Sequence, residues 1–316
     1  MVTVNKALGY TFSMSLFPTV ALIGKKHDAR AAQTLRDLTL YLLDLEGKGV
    51  LKSVLVHSDN APEISGPDAE FADWAQIRRR SNLVIVVGGD GTLLGVGREL
   101  AGSGVPLLGI HQGRLGFMVD VNPGEMRETL AQVLKGEYST EDRLLLSARV
   151  LHEDGKISGP FLAVNDVVIR NQAAIRMLEF ETWMDGEFIS QHRADGFIVS
   201  SPTGSTAYAL SGGGPVLHPG LDAFALVPIC PHTLSDRPIV IGGDRTVKIV
   251  LRGAAPTLAM FTCDSQTNET LHPGDAIEVS RAPHKLKLIH PKSYSYFDIL
   301  RNKLHWGRVP AQLRDE

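Results

Sequence analysis

Cysteine is nearly absent, with two residues in 316, Cys230 and Cys263. That rules out a dense disulfide framework. With no Cys-x-x-Cys pair, neither a zinc ribbon nor a redox dithiol is indicated. So few thiols in a chain of this size point to a reducing, cytoplasmic compartment. No apolar stretch approaches the ~20 residues that cross a bilayer, so no membrane partner is expected. The N-terminus carries one lysine, Lys6, and then a mixed stretch broken by Ser, Thr and Pro18. It lacks the apolar segment and cleavage site of a signal peptide, and residues 1–18 read as a ragged tail. Excess positive charge is missing as well. Thirty-two basic residues against 35 acidic ones give a formal net charge of −3, which argues against a nucleic-acid partner. The eleven histidines form no metal-ligand pattern, and no protein metal site is expected: His284 and His290 lack a third ligand nearby. Several nucleotide and hydrolase signatures are also absent. There is no Gly-x-x-x-x-Gly-Lys-Ser/Thr loop, and Gly204-Ser205-Thr206 lacks the second glycine of a nucleophile elbow. After the first strand the chain reads Gly24-Lys25-Lys26, which is not a dinucleotide fingerprint.

What is present is concentrated at residues 83–92. Leu83-Val84-Ile85-Val86-Val87 runs straight into Gly88-Gly89-Asp90-Gly91-Thr92. The apolar run fits a strand buried on both faces of a parallel sheet. The glycines let the backbone turn and approach a ligand at the strand's carboxyl end, where open α/β sheets bind. Gly-Asp-Gly is also ordinary turn chemistry, but a tight turn rarely needs three glycines.

The first half alternates strand and helix, which predicts a doubly wound α/β domain. Strands are expected at 20–23, 53–56, 83–87 and 105–110. Helices are expected at 31–45, with Leu35, Leu38, Leu42 and Leu45 on one face, at 92–100, and at 123–134 opening on Pro123. Lys25 and Lys26 fall where a phosphate could be met, although a solvated surface pair is the simpler reading. After Arg143 the pattern turns to β. Strands are expected at 144–151, 161–169, 177–183, 196–199, 238–241, 247–251, 276–279 and 286–289, with Asp185-Gly186 as a hairpin turn. This predicts an all-β, sandwich-like domain over 144–290. A closing helix beyond His290 packs back on the first domain, which therefore comprises 1–143 plus 291–316.

Two further constellations carry chemistry. Asn165-Asp166 lies within an otherwise apolar run, so its polar groups need partners or a ligand; a satisfied core pair is the competing reading. Ser201-Pro202-Thr203-Gly204-Ser205-Thr206-Ala207-Tyr208 follows a strand and leads into a helix start, whose free N–H groups could hold an anion. A Ser/Thr-rich surface loop is the competing reading there.

Together these segments resemble the NAD kinase family. The resemblance adds Asp195-Gly196, Gly212-Gly213-Gly214-Pro215, residues 226–235, Asp264-Ser265-Gln266 and residues 290–296. It spans most of the chain from about residue 80 onward and is nearest to bacterial members from Gram-negative organisms. Gly-Gly-Asp-Gly alone is shared with lipid kinases and phosphofructokinases; the 202–208 segment is far more specific. The resemblance implies an active site between the two domains, with ATP or polyphosphate as donor and NAD as acceptor at its adenosine 2′-hydroxyl. It also implies a divalent cation, Mg²⁺, and a homodimer or homotetramer. By similarity Asp90 is the catalytic carboxylate and, with Gly91, contacts the adenosine ribose. Gly88, Gly89, Gly91 and Thr92 form the phosphate loop. Asn165, Asp166, Arg176, Arg193, Asp195, Thr206, Ala207, Tyr208, Ser211 and Gln266 bind NAD. Many members carry Glu where this chain has Asp166, one methylene shorter. Two other readings are a lipid or sugar kinase sharing the glycine loop, and a non-catalytic NAD sensor.

Overall fold

The computed structural model describes residues 15–64, 68–113, 115–172, 177–253 and 258–306. The chain forms two compact units, residues 1–141 with 287–316, and residues 142–286. Arg176 and most of the N-terminal tail lie outside the described residues.

Unit 1 opens with β1 (Thr19–Gly24), α1 (Ala29–Gly47), β2 (Ser53–His57), β3 (Glu70–Ala72) and α2 (Trp74–Arg80). It continues through β4 (Leu83–Gly88), α3 (Asp90–Glu99), β5 (Leu107–His111), α4 (Met126–Leu134) and β6 (Tyr138–Arg143). Asp28 starts α1 by accepting from the N–H groups of Arg30 and Ala31 at 3.1 and 3.2 Å, the usual role of an N-cap carboxylate. The helix buries Leu35, Leu38 and Leu42 of the stripe read from the sequence, together with Ala31, while Leu45 is half-buried. Every residue of β1 and β4 is buried, which explains their unbroken apolar runs. β1 pairs parallel with both β2 and β4, and β4 with β5. The sheet order is β3-β2-β1-β4-β5-β19-β6, where β19 (Leu286–Pro291) is the strand on which the chain re-enters. The order reverses between β1 and β4, so the loop after β4 stands at a topological switch point.

Unit 2 contains β7 (Leu146–Leu151), β8 (Ile157–Ala163), β9 (Asp166–Asn171), β10 (Leu178–Met184), β11 (Glu187–Ala194) and β12 (Gly196–Ser200). After α5 (Tyr208–Ser211) come β13 (Ala223–Ile229), β14 (Ile239–Gly242), β15 (Val247–Arg252), β16 (Ala259–Cys263), β17 (Thr267–Leu271) and β18 (Ala276–Arg281). Two six-stranded sheets result, β11-β10-β15-β18-β7-β8 and β14-β13-β12-β9-β16-β17. One core joins them: Phe180, Ile249 and Ile277 from the first sheet meet Val167, Phe197 and Phe261 from the second. Asp185 and Gly186 both have positive φ, 51° and 88°, as the expected hairpin requires.

The structure corrects two expectations. The strand at 286–289, expected in the all-β domain, is β19 of the first unit's sheet, because it pairs parallel with β5. Residues 161–169 are not one strand. The run breaks at Val164-Asn165, with β8 in one sheet and β9 in the other.

Candidate active site

In unit 1 the site begins where β4 ends. Gly88 is small because a Cβ there would sit 2.5 Å from Thr92 Oγ1. Gly89 and Gly91 are different: neither has positive φ, and a Cβ on either would meet open space. The fold's own packing does not demand glycine at those two positions. What their missing side chains leave is open ground on both sides of Asp90. α3 starts at Asp90, two residues before the expected Thr92, with Gly89 as N-cap. An acidic residue is favoured in that first turn. The Asp90 carboxylate is half-buried and meets the loop after β5. Oδ2 accepts from Phe117 N–H at 2.8 Å, and Oδ1 from Met118 and Val119 N–H at 3.0 and 3.2 Å. A carboxylate offers about four acceptor positions, so among the described residues one on Oδ2 is left for a ligand. Nothing in the spacing of residues 113–119 announced this loop.

In unit 2 the break at Val164-Asn165 has a cause. The Asp264 carboxylate accepts from the N–H groups of Val164, Asn165 and Asp166 at 2.8–3.3 Å. Asp264 N–H in turn donates to Asp166 C=O at 3.0 Å. These bonds replace ladder partners and let the chain change sheets. Asp264 and Ser265 hold φ of 50° and 56° in the β16–β17 turn, and Gln266 is exposed beside them. Asn165 C=O accepts from Ser201 N–H at 2.8 Å. Its side-chain amide has no protein partner among the described residues. Asp166 is 3% exposed. Burial, and next the Asp264 charge, pushes its carboxyl up to about 7.

The 201–211 segment presses on this knot. A Cβ on Gly204 would fall 2.1 Å from Asn165 O, so only glycine permits the contact. Ser201 Oγ donates to Val164 C=O, and Ser205 Oγ accepts from Leu217 N–H at 2.9 Å. Both hydroxyls are fully buried and structural. Thr206 and Ala207 are half-buried, while Tyr208 and Ser211 are exposed. The expected helix start is a single turn, Tyr208–Ser211, so it provides little dipole for an anion. Arg143 is fully buried and donates to Thr203 Oγ1 at 3.4 Å, a contact the sequence did not suggest.

Not every expected residue joins this group. Arg193 and Asp195 flank the other end of β9, where Asn171 N–H donates to Asp195 C=O at 2.9 Å. At about 3.3 Å per residue, that end is about 16 Å from Asp166. Arg193 is exposed and pairs with Glu179 at 3.3 Å. Lys25 and Lys26 are surface ion pairs with Asp28 and Asp59, at 3.1 and 2.6 Å. Among the described residues no three His, Cys, Asp or Glu side chains gather as a metal site.

Comparison with known proteins gives a consistent result. Residues 20–138 match the family profile of the ATP-NAD kinase N-terminal domain, and residues 164–291 that of the C-terminal domain. The chain is similar to the NAD kinases of Hahella chejuensis and Pseudomonas putida, at 43% and 44% identity over 294 residues. In each case the alignment covers 93% of this chain and 97% of the relative. Among solved structures, yeast NADH kinase complexed with NADH aligns with a TM-score of 0.84 at 23% identity, over 92% of this chain and 88% of that one. An NAD kinase from Archaeoglobus fulgidus in complex with ATP gives 0.69 at 23%, over 91% and 98%. At that identity the two structures speak for the fold.

Proposed function

The chain belongs to the ATP-NAD kinase family and phosphorylates NAD to NADP with ATP as donor, and from that premise we propose that Asp90 is its catalytic carboxylate. The matches span both units. Readings that share only the glycine loop, a lipid or sugar kinase, are set aside, as is a non-catalytic sensor. In the proposed step the adenosine 2′-oxygen forms a bond to the terminal phosphorus and the bond to the β-phosphate oxygen breaks. The hydroxyl proton passes to Asp90 Oδ2, and ADP leaves. Phosphoryl transfer asks the protein mainly for alignment and charge compensation. The observation that carries this reading is the Asp90 carboxylate itself: it is fixed by three N–H groups, keeps one acceptor position open, and is flanked by bare glycine backbone.

The Gly88-Gly89-Asp90-Gly91-Thr92 loop is proposed to meet the phosphates. Asn165, Asp166, Thr206, Ala207, Tyr208, Ser211 and Gln266, with Arg176, Arg193 and Asp195, are proposed to bind NAD. The free Asn165 amide and the near-neutral Asp166 carboxyl are suited to hydroxyl partners, since together they can donate as well as accept. Mg²⁺ bound to nucleotide phosphates needs only one or two protein carboxylates, so the absence of a three-residue cluster is compatible with it; when bound, it would offset phosphate charge. A homodimer or homotetramer is proposed. It is supported by exposed Leu234, and by Ile239 and Val240 on the edge strand β14. A cytoplasmic setting is proposed on the scarcity of cysteine.

The test is NADP formation from NAD, ATP and Mg²⁺, with NAD binding measured separately by calorimetry. Asp90→Asn should lose about 10²–10⁴-fold in turnover, the usual worth of a general base, while NAD still binds. Near-full turnover at saturating substrates would reject the assignment.

A further inference from the structure

The loop that holds Asp90 is itself held by the C-terminal segment of the chain. Gly116 turns the loop, with its N–H donating to Val119 C=O at 3.1 Å. A Cβ on Gly116 would lie 2.1 Å from Asp90 Oδ1 and 2.4 Å from Val119 Cγ2. The carboxylate and the loop are therefore packed without slack. Phe117, Met118 and Val119 donate to Asp90, and the next residue, Asp120, points the other way. Its Oδ2 meets His290 Nδ1 at 2.9 Å, with both side chains buried. His290 lies at the end of β19; its Nε2 is 3.4 Å from Glu141 on β6, and its ring stacks on Tyr294 at 3.8 Å. Farther along, α6 (Tyr296–Leu304) sets Lys303 Nζ 5.6 Å from the centre of the Phe117 ring, within cation–π range. Two residues of one short loop are thus gripped by two elements that follow unit 2 in the sequence.

We propose that the segment from His290 to Lys303 is a brace for the Asp90 carboxylate. It fixes the loop at Asp120 and Phe117, so that the three N–H groups between them present one orientation to the carboxylate. Asp120, His290, Phe117 and Lys303 are positioning residues that act through Asp90. This inference deepens the reading above and rests on it. Misplacing a reacting group by about 1 Å can cost about 10²-fold in rate, so a loosened brace acts on turnover rather than on substrate binding.

The experiment compares Lys303→Met, Lys303→Arg, His290→Gln and the control Arg301→Ala in the full chain. kcat, both KM values and amide hydrogen exchange at residues 117–119 are measured. Arg301 is exposed on the same helix and pairs with Asp298. Lys303→Met and His290→Gln should lower kcat about tenfold with KM held within about twofold, and should speed exchange at Phe117, Met118 and Val119. Lys303→Arg should restore most of kcat, because it keeps the charge over the ring, and Arg301→Ala should behave as wild type. Lys303 lies near the surface, so Lys303→Met keeps the test decisive if His290→Gln does not fold. Unchanged kcat and exchange in Lys303→Met, or an equal loss in Arg301→Ala, would overturn the brace. If Asp90→Asn keeps turnover, the reading of Asp90 falls first, and exchange at 117–119 still reports whether the segment holds the loop.

Discussion

Asp166 shows how a single residue records its surroundings. It is buried against Asp264, and its carboxyl is pushed from 3.8 up to about 7 by burial first and by the neighbouring charge second. Below about pH 4 the group is protonated in both folded and unfolded chains, so its contribution to stability is fully present. As pH rises toward 7 the unfolded chain ionises it freely while the folded chain resists, and stability falls; above 7 the loss is complete. Asp166→Asn removes this penalty. Its Tm should exceed that of wild type by a margin that grows from about pH 4 to 7 and then stays level. A margin independent of pH would show that Asp166 is not held neutral. The adjacent polar pair Asn165-Asp166 was visible in the sequence as an oddity in an apolar run. Its partner Asp264 was not, because a separation of 98 positions leaves no local pattern.

At the scale of elements, the glycines separate into two kinds that composition cannot distinguish. Gly204 exists for packing: a Cβ there meets the backbone of Asn165 at 2.1 Å, and backbone cannot yield as a side-chain tip can. Gly204→Ala should cost about 2 kcal/mol or more in urea unfolding and raise the KM for NAD. Gly91 sits in the first turn of α3 facing open space. Gly91→Ala should gain up to about 1 kcal/mol of stability while raising the KM for ATP. If both variants move stability in the same direction, the distinction is wrong. Helices α1, α3 and α4 and the buried strands β1, β2, β4 and β5 were legible from period and apolar runs, whereas α2, β13 and β16 were not. The break between β8 and β9 was not, because Val164 and Val167 continue the apolar pattern on either side and only the Asp264 hydrogen bonds decide where the strand ends.

For the whole molecule, the chain leaves unit 1 after Glu141 and returns at Lys287. Unit 2 carries its own core across two sheets, so residues 142–286 alone should unfold cooperatively in urea, as read by circular dichroism. Truncation after Leu286 removes β19 from the interior of the seven-stranded sheet, between β5 and β6, and takes α6 with it. That chain should lose the cooperative transition of unit 1. A fully cooperative truncated chain would mean that the returning segment is an accessory.

Local chemistry in the sequence determined strands β1, β2, β4 and β5, the amphipathic helix, the glycine turn at Asp90 and the change from alternating to all-β character. Each of these depends on residues within a few positions of one another. Folding alone decided which N–H groups Asp90 would meet, what would neutralise Asp166, and why the last strand, expected in the β domain, belongs with the first unit. Those interactions join groups 27 to 170 residues apart, and over such separations only the folded backbone fixes which polar group meets which.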